Sequence, residues 1–324
     1  MTRSKNVYKR DKASHLKVGK IILPLLLISA TLIFLAFNFN SSKKMLEEEE
    51  PRYKEQEADL LLADTDTSNL NEINVLLIGT DRRGDEYGLS DTLMMANYKP
   101  ESNELKLVSF MRDTYVSIPN YGMQKINAAH AFGGPDLVSE TIYENFGIQT
   151  DYYASVDFTG FPKIFDLIIP KGIEVDIPYE MSHGIEMTLE PGEQTLHGDQ
   201  LLGYVRFRHD KKSDFGRVER QQEVLTAAKK QGVNFQTLLN LPQILDALDT
   251  YIDTDIDKRI LLAIGKSLIQ GGSEEMETLR IPAVNAFTEE RRNVGEVLVP
   301  DIEANKDALN SFLTDELAVE LTAE

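Results

Sequence analysis

Residues 73–112, INVLLIGTDRRGDEYGLSDTLMMANYKPESNELKLVSFMR, hold three apolar segments separated by polar turns. INVLLIGT (73–80) is a short apolar run ending in glycine and threonine, the pattern of a central strand. TLMMANYK (92–99) and ELKLVSFMR (104–112) read as two further strands, with the polar turn PESN between them. Strands joined by short loops are usually antiparallel. The end of the first then lies beside the start of the second, and the end of the third returns to that side. Asp81, Asp91 and Arg112 hold those positions, so a meander brings them to one rim.

Downstream, helical and strand patterns alternate. PDLVSETIYENFG (135–147) has proline near its first turn and glycine just past its end, as a helix should. YYASVDF (152–158) reads as a strand, FPKIFDLII (161–169) as a helix and GIEVDIP (172–178) as a strand. GDQLLGYVRFRH (198–209) holds a short turn or helix leading into a strand. SDFGRVERQQEVLTAAKKQG (213–232) is a helix with a Ser or Asp N-cap and a terminal glycine. Helices are expected near 236–250 and 257–270, a strand at 276–283 and a closing helix at 301–317. The order predicts an α/β fold: one domain over residues 71–324, with a central antiparallel-containing sheet flanked by helices.

Upstream, residues 1–20 carry seven Lys or Arg and one acid, followed by nineteen uncharged residues, IILPLLLISATLIFLAFNF (21–39). A helix of that length spans roughly 28 Å, close to the hydrocarbon thickness of a bilayer. The run exceeds the usual apolar core of a cleaved signal peptide, about 7–15 residues, and no small-x-small cleavage site follows closely. This predicts a cytoplasmic basic tail (1–20), an uncleaved transmembrane signal-anchor (21–40) and an acidic extracytoplasmic stalk (41–70). The protein is then a single-pass type II protein of the cell membrane, its domain outside. The absence of cysteine fits an exported chain that folds without disulfides. Beyond residue 40 the chain keeps 27 basic and 52 acidic residues, a net of −25, so no broad polyanion-binding surface is expected. Twenty cytoplasmic residues are too few for a helix-turn-helix, and no nucleic-acid partner is expected.

Against that charge, YVRFRHDKKSDFGRVERQQ (204–222) gathers four arginines. Read as a strand, 204–208 turns Tyr204, Arg206 and Arg208 to one face and Val205 and Phe207 to the other. In the following helix Arg217 and Gln221 lie one turn apart, with Asp214 and the helix N-terminus between the two arms. Arginine grips phosphate oxygens bidentately and keeps its charge, so a V-shaped anion site is one reading. Surface ion pairs with the many acids are the other. Likewise Asp81 and Asp91 either serve a hard cation, Mg²⁺ or Mn²⁺, or cap and solvate a loop.

Seven ordered motifs resemble the LytR-CpsA-Psr (LCP) family: VLLIGTDRR, LSDTLMMANYKPE, LVSFMRDTYVSIP, KINAAHAFGG, DYYASVDFTGFPKIFD, LHGDQLLGYVRFRHD and DFGRVERQQEVL, spread over roughly residues 73–230. The resemblance implies an α/β sheet with helices on both sides and an apolar pocket for a polyprenyl chain. It implies a metal-dependent phosphotransferase that moves a wall glycopolymer, teichoic acid, capsule or similar, from an undecaprenyl-pyrophosphate carrier to a peptidoglycan acceptor. On that basis Asp81 and Asp91 serve the metal and pyrophosphate, and Arg112 contacts the pyrophosphate. Arg206, Arg208, Arg217 and Gln221 bind substrate, with Asp214 as the acidic member of the motif. Asp91, Arg112 and Arg206 are expected to act in catalysis with Asp81, and Asp91 and Asp113 are candidates for the general base. His209 is more simply a surface residue, Lys125 and Asn127 either position substrate or pack, and Arg220 either shares the anion site or pairs with a nearby acid. Departures from the family pattern are Pro170-Lys171-Gly172 in place of a double glycine, Met111 for a frequent proline and His197 for a frequent asparagine. A hydrolase using water at the same site, and a non-catalytic membrane-bound regulator, are the alternatives.

Overall fold

The computed structural model describes residues 72–81, 87–102, 104–232, 249–258 and 276–314, together with Ile244, Ala247, Ile260, Leu261 and Ile264. The expected tail, membrane span and stalk lie outside these residues, as do most of the helices expected at 236–250 and 257–270. No helix among the described residues is long and apolar enough to cross a membrane.

The three opening segments form β1 (Ile73–Thr80), β2 (Ser90–Lys99) and β3 (Glu104–Phe110), paired antiparallel in chain order. Asp91 is therefore the second residue of β2, and Arg112 sits just past the end of β3. Two hairpins follow at different places: β4 (Tyr115–Ile118) with β5 (Gly122–Lys125), and β7 (Ile173–Ile177) with β8 (Gly192–Leu196). Between them α1 (Ala128–Phe146) breaks at Gly133 and Gly134, so its regular part starts at Pro135, as expected. Gly134 has φ 67°, and a Cβ there would meet the Tyr87 ring at 2.7 Å. Next come β6 (Tyr152–Asp157), α2 (Gly160–Ile168), α3 (Gly198–Arg206) and α4 (Asp214–Gly232). β9 (Ile252–Thr254), β10 (Glu277–Ile281), the hairpin β11 (Phe287–Arg292) and β12 (Gly295–Pro300), and α5 (Ile302–Thr314) complete the described elements.

The main sheet runs β10-β3-β2-β1-β6-β9. β6 joins β1, and β10 joins β3, in parallel, which makes the sheet mixed. Alternation sends Leu76, Ile78, Leu93, Met95, Val108 and Phe110 to one face, where they pack with Val138, Ile142 and Phe146 of α1 and Leu309 of α5. Lys106 and Lys99 bind the carbonyl oxygens of Phe312 and Leu313 at 2.7 and 2.9 Å, closing the C-terminal turn of α5. Leu77, Gly79, Thr92, Met94, Ala154 and Val156 line a cavity that α2, α3 and α4 help to wall.

One sequence expectation is corrected. Residues 204–208 are not a strand: α3 continues to Arg206 and the backbone becomes extended only at Phe207 (φ −61°, ψ 135°). The buried Leu201, Tyr204 and Val205 follow the i, i+3, i+4 spacing of a helix. Five alternating residues were too short a window to separate the two periods.

Candidate active site

The rim predicted from connectivity exists. Arg112 Nη1 donates to Asp91 Oδ1 at 2.7 Å across the ends of β3 and β2. The second arm arrives from α4, whose first residue is Asp214. Arg217 places Nη2 3.1 Å from Asp214 Oδ1 and Nη1 3.5 Å from Asp91 Oδ1, while Arg112 Nε lies 3.4 Å from Asp214 Oδ1. Two guanidinium groups and two carboxylates, 123 residues apart between Asp91 and Asp214, thus form one cluster. Asp113 flanks it, 3.6 Å from Arg112 Nε and held by Lys125 Nζ at 2.6 Å.

The electrostatics of the two arginines differ. Burial disfavours the charge on Arg112, but Asp214, Asp113 and Asp91 outweigh it and raise its pKa above the ordinary value. Arg217 is 3% exposed. There burial dominates, Asp214 opposes it only in part, the positive Arg112 adds to it, and the pKa falls to about 10. Arg217 still carries its charge at neutral pH. It is a desolvated cation whose partners lie at 3.1–3.5 Å, so an incoming anion would find it incompletely satisfied.

Gln221, one turn beyond Arg217, donates to Thr92 Oγ1 at 2.9 Å and ties α4 to β2. Gly79 faces the same threonine: a Cβ there would meet Thr92 Cβ at 2.9 Å, so the absence of a side chain lets β1 and Thr92 close together. Neither Thr92 nor this link was foreseen from the sequence, where threonine near a strand start carries no distinguishing signal.

Asp91, Arg217 and Gln221 also line the cavity of about 270 Å³ beneath, together with Arg206, Arg208 and His209. Its remaining wall is mostly apolar, with Met94, Val156, Phe161, Phe165, Val205 and Leu225 among the lining side chains. Arg206, at the last turn of α3, lies over the Phe158 ring at 4.1 Å. Among the described residues neither Arg206 nor Arg208 has a carboxylate partner, unlike Arg220. Arg220 is a staple: it pairs with Asp210 at 2.7 Å, donates to the Phe207 carbonyl and is 7% exposed. Asp210 is held below the usual carboxylate range: burial works against its charge, and hydrogen bonds from Arg220 and Tyr179 prevail.

Asp81 follows β1 and is exposed, one residue beyond the Thr80–Ser90 pairing, which sets it near the strand end that carries Asp91. The structure does not bring Asp81 into the ion-pair cluster or the cavity wall. Of the two, only Asp91 stands in the cluster, and a single carboxylate can take part in holding a hard divalent cation. Both guanidinium contacts of Asp91 fall on Oδ1, and Mg²⁺ is commonly held by one or two carboxylates with substrate phosphates completing its shell. Among the described residues no group of three or more His, Cys, Asp or Glu could hold a metal ion unaided.

The model of the LytR_cpsA_psr family matches residues 33–311. The chain belongs to this family. Its relatives include the Staphylococcus aureus (strain COL) regulatory protein MsrR, 38% identical over 249 residues and 76% of both chains. Another is the polyisoprenyl-teichoic acid–peptidoglycan teichoic acid transferase TagU of Oceanobacillus iheyensis, 30% identical over 319 residues and 95% of both chains. Among solved structures, B. subtilis TagV superposes with a TM-score of 0.64 at 27% identity, covering 76% of this chain and 98% of that one. The mixed α/β architecture is therefore the LCP fold. The residues that place Asp91 against Arg217 all fall within the matched span.

Proposed function

We propose that this chain is a membrane-anchored phosphotransferase that moves an anionic wall glycopolymer from an undecaprenyl-pyrophosphate carrier onto peptidoglycan through a phosphodiester. One observation carries the reading: Arg206 and Arg208, which have no carboxylate partner among the described residues, line a mostly apolar cavity. A lipid diphosphate has the matching parts, an anionic head and a hydrocarbon tail. The name of the TagU relative supports the reaction class. The basic tail and uncharged run of residues 1–40 support an anchor that keeps the extracytoplasmic domain beside the lipid.

In this reading an acceptor hydroxyl attacks the phosphorus that carries the glycan. Its new O–P bond forms as the bond from that phosphorus to the bridging oxygen breaks, and the electron pair leaves with the lipid monophosphate. The hydroxyl proton passes to a carboxylate, Asp91 or Asp113. Arg206, Arg208 and Arg217 hold the phosphate oxygens, and Arg112 braces the phosphoryl group from the other side of Asp91. Such pre-positioned donors act most strongly where water is excluded, each worth about 10²–10³ in rate. Asp81 and Asp91 would hold Mg²⁺ or Mn²⁺, which when bound screens phosphate charge.

The test uses purified full-length protein, a lipid-linked glycan and peptidoglycan oligomers. Donor consumption should require the acceptor, and Arg217→Ala should slow it by about 10²–10³. Free glycan phosphate released equally without acceptor would assign the hydrolase alternative. Normal wall glycan in cells carrying only Arg217→Ala would assign a non-catalytic regulator.

A further inference from the structure

The phosphoryl-transfer cluster lies on a sheet rim with two different flanks. The apolar cavity opens on the flank of α4, walled by Leu77, Met94, Ala154 and Val156. Arg112, Asp113 and Lys125 do not line it. Lys125 ends β5, and its hairpin with β4 leads away from the cluster on the α1 side of the sheet. At the hairpin tip Tyr121 stacks on Phe132 of α1, ring centroids 4.4 Å apart and planes 13° from parallel. Both rings stay exposed, Tyr121 at 48% and Phe132 at 41%, and Met123 beside them at 47%. Tyr87 and Leu89, also exposed, precede Asp91 on the same flank, and the Tyr87 ring sits edge-on to His130 of α1. Exposed apolar side chains gathered in one patch mark an interaction surface.

Resting on the transferase reading, we propose that the Tyr121–Phe132 stack, with Met123 and Tyr87, is a platform that docks the amino-sugar strand of the acceptor. In-line displacement puts the entering oxygen opposite the leaving one. The lipid phosphate leaves toward the cavity, so the acceptor hydroxyl arrives from the Arg112–Lys125 flank, where the platform stands. The platform is continuous with the cluster through Leu89–Asp91 and Met123–Lys125. Its chemistry fits a sugar: aromatic faces carry negative potential, and a pyranose presents a face of polarised C–H groups. The platform's named side chains are all uncharged, which suits a ring with hydroxyl and acetamido substituents.

The test separates acceptor docking from turnover. In the full-length protein, Tyr121→Ala with Phe132→Ala should raise the acceptor KM by roughly tenfold with the donor KM unchanged, and Tyr121→Phe should behave as the parent. An acceptor KM within about twofold of the parent overturns the platform, since the expected tenfold rise corresponds to about 1.4 kcal/mol. A second measurement needs neither variant nor turnover. The Met123 methyl resonance of the ¹³C-methionine-labelled protein should shift saturably with a β-1,4-linked N-acetylglucosamine tetramer. No shift at millimolar tetramer overturns the proposal. So does a shift produced by phosphatidylglycerol vesicles in place of the tetramer, which would mark a membrane-resting patch. A saturable shift in a protein without transfer activity would leave the platform standing and remove the transferase reading.

Discussion

The two faces of the main sheet are made from the same strands and the same kinds of residue, yet one is filled and the other hollow. Leu76, Ile78, Leu93, Met95, Val108 and Phe110 meet α1 and α5 in a core of fully buried side chains. Their neighbours Leu77, Gly79, Met94, Ala154 and Val156 meet a cavity. The difference arises from what covers each face. α1 lays Val138, Ile142 and Phe146 directly onto the strands, whereas α4 brings polar Gln221 to Thr92 and so holds its helix at the mouth. A filled face supplies stability and a hollow one supplies a binding volume, and substitutions on the two should separate these roles.

The largest effect is expected on the filled face. Phe146 is 1% exposed and packs on Phe110 with ring centroids 5.5 Å apart. Phe146→Ala should lower unfolding free energy by roughly 3–5 kcal/mol, read from the urea midpoint, while the surviving folded fraction keeps its donor affinity. On the hollow face the signs reverse. Ala154→Phe adds a ring where the wall has space, so stability should change by less than about 1.5 kcal/mol. Affinity for the lipid-linked donor should fall roughly tenfold, about 1.4 kcal/mol, because the ring occupies the volume the hydrocarbon needs. A large loss of stability with donor affinity intact would mean that this face is ordinary core.

This contrast also marks where reading the sequence stops. The meander was legible because each strand is apolar and bounded by polar loop residues, and the Asp91–Arg112 contact followed from connectivity. The meeting of Arg217 with Asp91 was expected from the motif resemblance, and the structure places the two 3.5 Å apart. The path of Arg206 and Arg208 was misread, because a period-2 pattern over five residues hid the 201, 204, 205 spacing of α3. The β4–β5 hairpin was passed over because its strands are only four residues long. Its turn still left a signal in Asn120 and Gly122, with φ 66° and 72°. The cavity had no signal at all. The strand residues of the two faces are equally apolar, and only the helices opposite decide which face is filled.

The smallest of these effects concerns how the cavity mouth aims its cations. Arg206 has no carboxylate partner among the described residues, and its guanidinium rests on the Phe158 ring at 4.1 Å. Phe158 follows β6, so the rigid sheet sets the ring and the ring in turn orients the cation. A cation over an aromatic face gains about 0.5–1 kcal/mol at a partly exposed site. Phe158→Leu keeps the apolar wall and removes the π face, so the donor KM should rise about two- to fivefold, the factor that this energy represents. Phe158→Tyr restores the face and should restore the KM. A leucine variant indistinguishable from the parent would mean that Arg206 is aimed by its place on the last turn of α3 alone. The cavity mouth would then owe its order to helix geometry rather than to the stacked ring.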